Sequence, residues 1–156
     1  PATGSYTFEC WVKNPMAAVG QAGLFSNTGG SDGYRFGVGR DGIYFLCGPT
    51  YTEGGISYTS TFDNSLWHHI VAVYDRANTF GASVPTVYLY LDGVYQNSAS
   101  LPASQTSQNT AAPGMVRSAC CSVWTGKLSM FRVYQTALNS LQVKNNFNAQ
   151  RGRYGL

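Results

Sequence analysis

Residues 66–75 read LWHHIVAVYD. In an extended chain, successive side chains point to opposite faces. Trp67, His69, Val71 and Val73 therefore share one face, and His68, Ile70, Ala72 and Tyr74 share the other. Both faces are largely apolar. A strand with one wetted face would alternate apolar and polar residues, so this one is expected at the centre of a sheet, covered on both sides. The two adjacent histidines point apart and cannot grip one metal together.

The flanking sequence supplies further strands. YTFECWVK (6–13) alternates with period two: Tyr6, Phe8, Cys10 and Val12 oppose Thr7, Glu9, Trp11 and Lys13, and Pro15 stops the run. Short strands are expected over residues 22–28, 34–39 and 43–48, with another starting at Ile56. Arg40-Asp41-Gly42 joins the middle two as a hairpin, and Asp92-Gly93 turns VYLYLDGVYQ (87–96) back on itself. CSVWTGKLSMFRVY (121–134) provides the last strands. Residues 100–114, rich in Ser, Gln, Thr, Pro and Ala, read as a long connection. One helix is expected. Asn139 followed by Ser140, Leu141 and Gln142 has capping-box spacing, and Leu141, Val143 and Phe147 offer a stripe to the sheets.

The bulk numbers agree with a single β-sandwich domain over residues 1–156. The chain has 156 residues, 14% aromatic and 11% charged, with 18 glycines. The formal charge is +3, but the basic residues are scattered, Arg151 and Arg153 being the closest pair. No basic stripe interleaves with aromatics, so no nucleic-acid partner is expected. No run of about 18 apolar residues exists, so no membrane-spanning helix is expected. No signal peptide is read within the sequence, which opens at Pro1 without an initiator Met, and the chain is expected to be processed or part of a larger assembly. The cysteines are Cys10, Cys47, Cys120 and Cys121. The last two, being adjacent, would pair separately with the first two, in either of two connectivities, or all four are buried thiols.

Four stretches in order resemble the laminin-G-like, concanavalin A-like jelly rolls: YTFECWVK, LWHHIVAVYD, VYLYLDGVYQ and TGKLSMFRVYQTALNSLQV. The resemblance implies an all-β fold, a two-sheet antiparallel jelly-roll β-sandwich with one short C-terminal helix. It also exposes two departures. Such domains open with one more strand before the Trp strand, and this chain has only PATGS there, so the first strand is expected to be missing or its edge covered by something else. The family often has acidic residues in the strand before Arg-x-Tyr, where this chain has Ser129 and Met130. The ending NNFNAQRGRYGL is similar to the C-termini of such domains in virus and phage structural proteins.

Catalysis is not expected. Glucanases of this fold use paired carboxylates, because one must protonate the leaving oxygen while the other attacks. This chain has only two glutamates, Glu9 and Glu53, and neither is followed by an aspartate two residues on. GGSDG (29–33) formally fits a nucleophile elbow, but a strand follows it where a helix is required, so Ser31 reads as a turn residue. No cofactor is expected. Relatives often bind calcium, and the best candidate for it is Asp32 near Asn27; Asp41 and Asp92 read as turn residues.

The hairpin at 87–96 carries the candidate ligand surface. A two-residue turn would set Leu91 opposite Val94, Tyr90 opposite Tyr95, Leu89 opposite Gln96 and Tyr88 opposite Asn97. Val87, Leu89 and Leu91 then face the core, and Tyr88, Tyr90 and Tyr95 face out. With Asn97 and Trp124, these tyrosines could stack a sugar and bond its hydroxyls. They could equally bury against neighbouring protein subunits, or serve only as good strand formers. Tyr51 and Tyr58 are secondary candidates. The expected role is a non-catalytic recognition module, lectin-like, on a cell, extracellular or virion surface. The alternative is a structural or decoration module of a virion, fibre or matrix.

Overall fold

The computed structural model describes residues 4–13, 21–26, 34–39, 42–47, 55–59, 63, 65–101, 114–115 and 126–156. Among these residues, ten strands form two antiparallel sheets. They are β1 (Tyr6–Lys13), β2 (Gln21–Ser26), β3 (Tyr34–Gly39), β4 (Gly42–Cys47), β5 (Gly55–Thr59), β6 (Trp67–Asp75), β7 (Thr86–Leu91), β8 (Val94–Ser100), β9 (Gly114–Met115) and β10 (Lys127–Tyr134). One sheet runs β10-β1-β6-β7-β8, and the other runs β5-β4-β3-β2-β9. Helix α1 (Ser140–Gln150) and a 3-10 turn (Arg151–Tyr154) follow. This is the all-β sandwich with one short C-terminal helix that the strand pattern and the resemblance imply.

The alternation in β1 and β6 explains how the layers close. Phe8, Cys10, Val12, Ile70, Ala72 and Tyr74 point from the first sheet towards Leu24, Phe36, Val38, Ile43 and Phe45 of the second. Phe8 links the layers: its ring centroid lies 5.1 Å from that of Phe25, 6.1 Å from that of Phe36 and 5.9 Å from that of Phe45. Val87 and Leu89 join this core and Leu91 packs against it, as the hairpin reading requires. Each fully buried aliphatic or Phe side chain contributes roughly 1.5–3 kcal/mol. Cys10 is a free, fully buried thiol. Burial pushes it well above its ordinary pKa, and neighbouring Glu9 adds to the rise. Both two-disulfide connectivities need Cys10, so neither is formed.

β6 lies third of five in its sheet, between β1 and β7, as its two apolar faces predict. β1 is not left as an edge: β10 pairs along it from Thr7↔Tyr134 to Lys13↔Lys127. The ladder shifts between Glu9 and Trp11, where Met130 adopts φ 47°, a bulge that absorbs one extra residue. Most of the expected connection at 100–114 lies outside the described residues; Gly114–Met115 forms the short strand β9, which pairs with β2 at Phe25↔Met115.

The β7–β8 turn corrects the expected register. Tyr90 does oppose Tyr95 and Leu91 opposes Val94, but the ladder then shifts, so Leu89 opposes Asn97 and Tyr88 opposes Ser98. Gln96 is the extra residue, and its side-chain amide donates back to Val94 O at 3.1 Å. Asp92 and Gly93 both have positive φ, 50° and 75°, as a tight primed turn demands. Asp92 also ties the turn to β6. Its Oδ1 accepts from His69 N at 2.8 Å, its own N donates to His69 O at 2.8 Å, and its Oδ2 lies 2.9 Å from His68 Nδ1. A Cβ added to Gly93 would meet the Phe147 ring and Cβ at 3.0 Å. Gly93→Ala is therefore expected to lose about 1–3 kcal/mol from φ strain and contact with Phe147. A urea midpoint equal to that of the parent chain would contradict this.

Candidate functional site

The outer face of the first sheet is covered in part by α1. The helix starts where the sequence places it. Asn139 Oδ1 accepts from Gln142 N at 2.9 Å, and Gln142 Oε1 accepts from Asn139 N at 2.9 Å, a reciprocal capping box. The segment before it is anchored through Thr7, whose hydroxyl donates to Thr136 O at 2.9 Å and accepts from Leu138 N at 3.0 Å. The buried stripe differs from the expected one. Val143 is buried and Phe147 partly so, but Leu141 is 64% exposed. The inward side is instead Val143, Asn146, Phe147 and Gln150, the i, i+3, i+4, i+7 spacing of one helix face.

Half of that face is polar because it meets Glu9. This carboxylate is fully buried. It accepts from Tyr134 Oη at 2.8 Å, Asn146 Nδ2 at 2.8 Å and Gln150 Nε2 at 3.2 Å. His69 Nε2 lies 3.2 Å from Glu9 Oε1, although its N–H is not aligned for a directed bond. Arg132 approaches to 3.7 Å. Burial alone would raise the Glu9 pKa; contacts with His69, Tyr134 and Gln150 outweigh it and hold the carboxyl down at about 2. Beside it, Trp11 stacks on Tyr154 at 4.0 Å and on Phe147 at 5.7 Å, and donates from Nε1 to Gln150 Oε1 at 2.7 Å. Glu9 is thus a buried, ionised group whose oxygens accept from the helix and from β10. It ties the helix to the sheet.

The covering changes the tyrosine surface expected at 87–96. Tyr90 is only 4% exposed and packs with Val71, Val73, Leu138 and Val143. Burial raises its hydroxyl pKa to about 12, with Tyr88 and Tyr95 adding to the rise. Tyr88 is partly buried, while Tyr95, on the outermost strand, is 49% exposed. The bulge at Gln96 takes Asn97 out of register with the tyrosines. Its place opposite Tyr88 is taken by Ser98, whose Oγ lies 3.0 Å from Tyr95 Oη. The expected amide beside the aromatics is therefore a hydroxyl. Trp124, Tyr51, Asp32, Asn27 and Asp41 lie outside the described residues, and so does the Tyr58 side chain.

The aromatic surface also gains a residue that the hairpin alone did not suggest. Phe80 packs edge-on against Tyr88, with centroids 5.6 Å apart and planes at 71°. The loop before β7 holds it there. Asp75 Oδ2 accepts from Phe80 N at 2.9 Å, Ser5 Oγ accepts from Arg76 N at 3.1 Å and Ala77 N at 3.2 Å, and Asn78 turns the chain at φ 56°. Nothing in the local sequence links Phe80 to Tyr88; Asn78, a residue that tolerates positive φ, was the available signal. The open margin is therefore Phe80, Tyr88, Tyr95 and Ser98. Among the described residues, no group of three or more His, Cys, Asp or Glu side chains is placed to hold a metal ion. None of their helices is long and apolar enough to cross a membrane.

The pattern of these strands matches a known family over residues 1–144, described as the concanavalin A-like lectin/glucanases superfamily. The chain belongs to this superfamily. No curated protein matches this chain. Solved structures share its fold. The binding domain of Paraclostridial Mosquitocidal Protein 1 superposes with a TM-score of 0.72 at 17% identity, covering 94% of this chain and 37% of that one. The binding domain of Botulinum Neurotoxin DC in complex with SialylT gives 0.72 at 9% identity, covering 94% and 36%. A structure of botulinum neurotoxin type C, whose cell entry is described as dependent on two ganglioside molecules, gives 0.70 at 10% identity, covering 94% and 36%. The chain thus spans little more than a third of the length of these structures.

Proposed function

We propose that this chain is a non-catalytic recognition module that binds glycans through the margin formed by Phe80, Tyr88, Tyr95 and Ser98. The observation that carries this reading is the exposed Tyr95 ring. It stands edge-on to buried Tyr90, with centroids 5.9 Å apart and planes at 73°, so it is held in place yet half open to solvent. A rigid aromatic beside a hydroxyl can stack on a pyranose face and bond its rim at little entropic cost. The buried, hydrogen-bonded state of Glu9 supports a non-catalytic role. Toxin domains that share the fold are described as binding domains, one in complex with SialylT, and cell entry of another toxin is described as dependent on two ganglioside molecules. We further propose that the domain works at an extracellular or particle surface as one unit of a larger protein.

A glycan array probed with the chain tests the reading. Tyr95→Ala is expected to lower binding by about tenfold and to change stability by about 1 kcal/mol or less, because the ring is exposed. An array with no bound glycan, or a Tyr95→Ala variant that binds as the parent does, would overturn the assignment.

A further inference from the structure

We infer that the tyrosine margin selects a pyranose bearing an anionic substituent, carboxylate or sulfate, and that Lys144 is the group that recognises the charge. This rests on the glycan-binding reading above. The position of Lys144 follows from contacts that fix the helix. Asn146 and Gln150 face Glu9, towards β1 and β10, whereas Phe147 meets Gly93 at the β7–β8 turn. Successive residues advance by about 100° around a helix, so Ser140 and Lys144 lie beyond Phe147, on the flank turned towards β8. The helix does contact β8.

The level along the sheet agrees. The segment leading into α1 is anchored at Thr7, and the end of α1 reaches Trp11 through Gln150. The middle of the helix therefore crosses the ladder row Glu9↔Val71↔Tyr90↔Tyr95. Lys144, one turn after Ser140, occupies that middle, on the same side as Tyr95. It is exposed and forms no ion pair among the described residues. Among the described acids near the helix, Glu9 is buried and both Asp92 oxygens are hydrogen-bonded, to His68 and the His69 amide. The margin and its flank thus offer an exposed cation with no ion pair among the described residues, an open ring and a hydroxyl. That set complements a sugar whose apolar face stacks on Tyr95 while its charged substituent reaches the ammonium.

Calorimetric titration of the intact chain with 3′-sialyllactose, 3′-sulfated lactose and lactose tests this, with Lys144→Gln and Tyr95→Ala as variants. The expected result is that at least one acidic sugar binds about fivefold or more tightly than lactose, and that Lys144→Gln removes that difference. Preference for only one acidic sugar identifies the substituent. Equal affinity for all three, unchanged by Lys144→Gln but lost in Tyr95→Ala, overturns the charge selectivity and leaves the glycan site standing. No binding by any of the three overturns both.

Discussion

Replacing Glu9 with alanine is expected to destabilise the fold by about 3–5 kcal/mol, because the carboxylate is the common acceptor of a buried cluster. Its removal leaves the Tyr134 hydroxyl and the Asn146 and Gln150 amides without their acceptor, and an unsatisfied buried donor costs roughly 1–3 kcal/mol. Urea unfolding of Glu9→Ala reads this directly; a loss below about 1 kcal/mol would show that the cluster does not hold the helix. The same carboxylate predicts an acid limit. Its pKa is about 2 in the folded chain against 4.5 ordinarily, so folding favours the ionised form. That contribution is complete above about pH 4.5 and is lost as the pH falls towards 2. A shift of this size corresponds to about 3 kcal/mol. The acid-induced loss of stability in the parent chain should therefore be visibly smaller in Glu9→Gln, which cannot titrate.

Replacing Trp11 with alanine is the second large effect, also about 3–5 kcal/mol. The indole is fully buried, and it fills the space between the sheet and the 3-10 turn by stacking on Tyr154 and Phe147 and packing at a tilt against His69. Truncation leaves a cavity and frees the Gln150 amide oxygen. Amide exchange in residues 140–150 should accelerate more than exchange in β3 and β4, which lie in the other sheet. Uniform acceleration would mean that Trp11 supports the sandwich as a whole rather than the helix. Because Trp11 and Glu9 share Gln150, the double variant should lose less than the sum of the two single losses.

The binding margin and the helix cover are two parts of one face, and they divide its tyrosines. Tyr90 falls under α1 and becomes a packing residue; Tyr95 falls outside it and stays available. From the sequence, the two were equivalent, since both lie on the same side of one hairpin. The distinction came from Val143 and Leu138, residues about 50 positions away in the chain, closing over one ring and not the other. The exchange of Asn97 for Ser98 has a different origin. A one-residue bulge reverses every later side chain, and VYQNS contains no glycine or proline to announce one.

The sequence by itself determined the strand pattern, the inward set on β1, β6 and β7, the tight turn at Asp92-Gly93 and the helix start at Asn139. Each follows from interactions between near neighbours: side-chain alternation, backbone conformation and local capping. Only the tertiary structure decided that the second face of β1 is also buried, that Leu141 faces solvent while Asn146 and Gln150 turn inward, and which tyrosine remains open. Those outcomes depend on a buried carboxylate finding its donors across more than a hundred residues of chain. Local periodicity carries no record of a partner that far away.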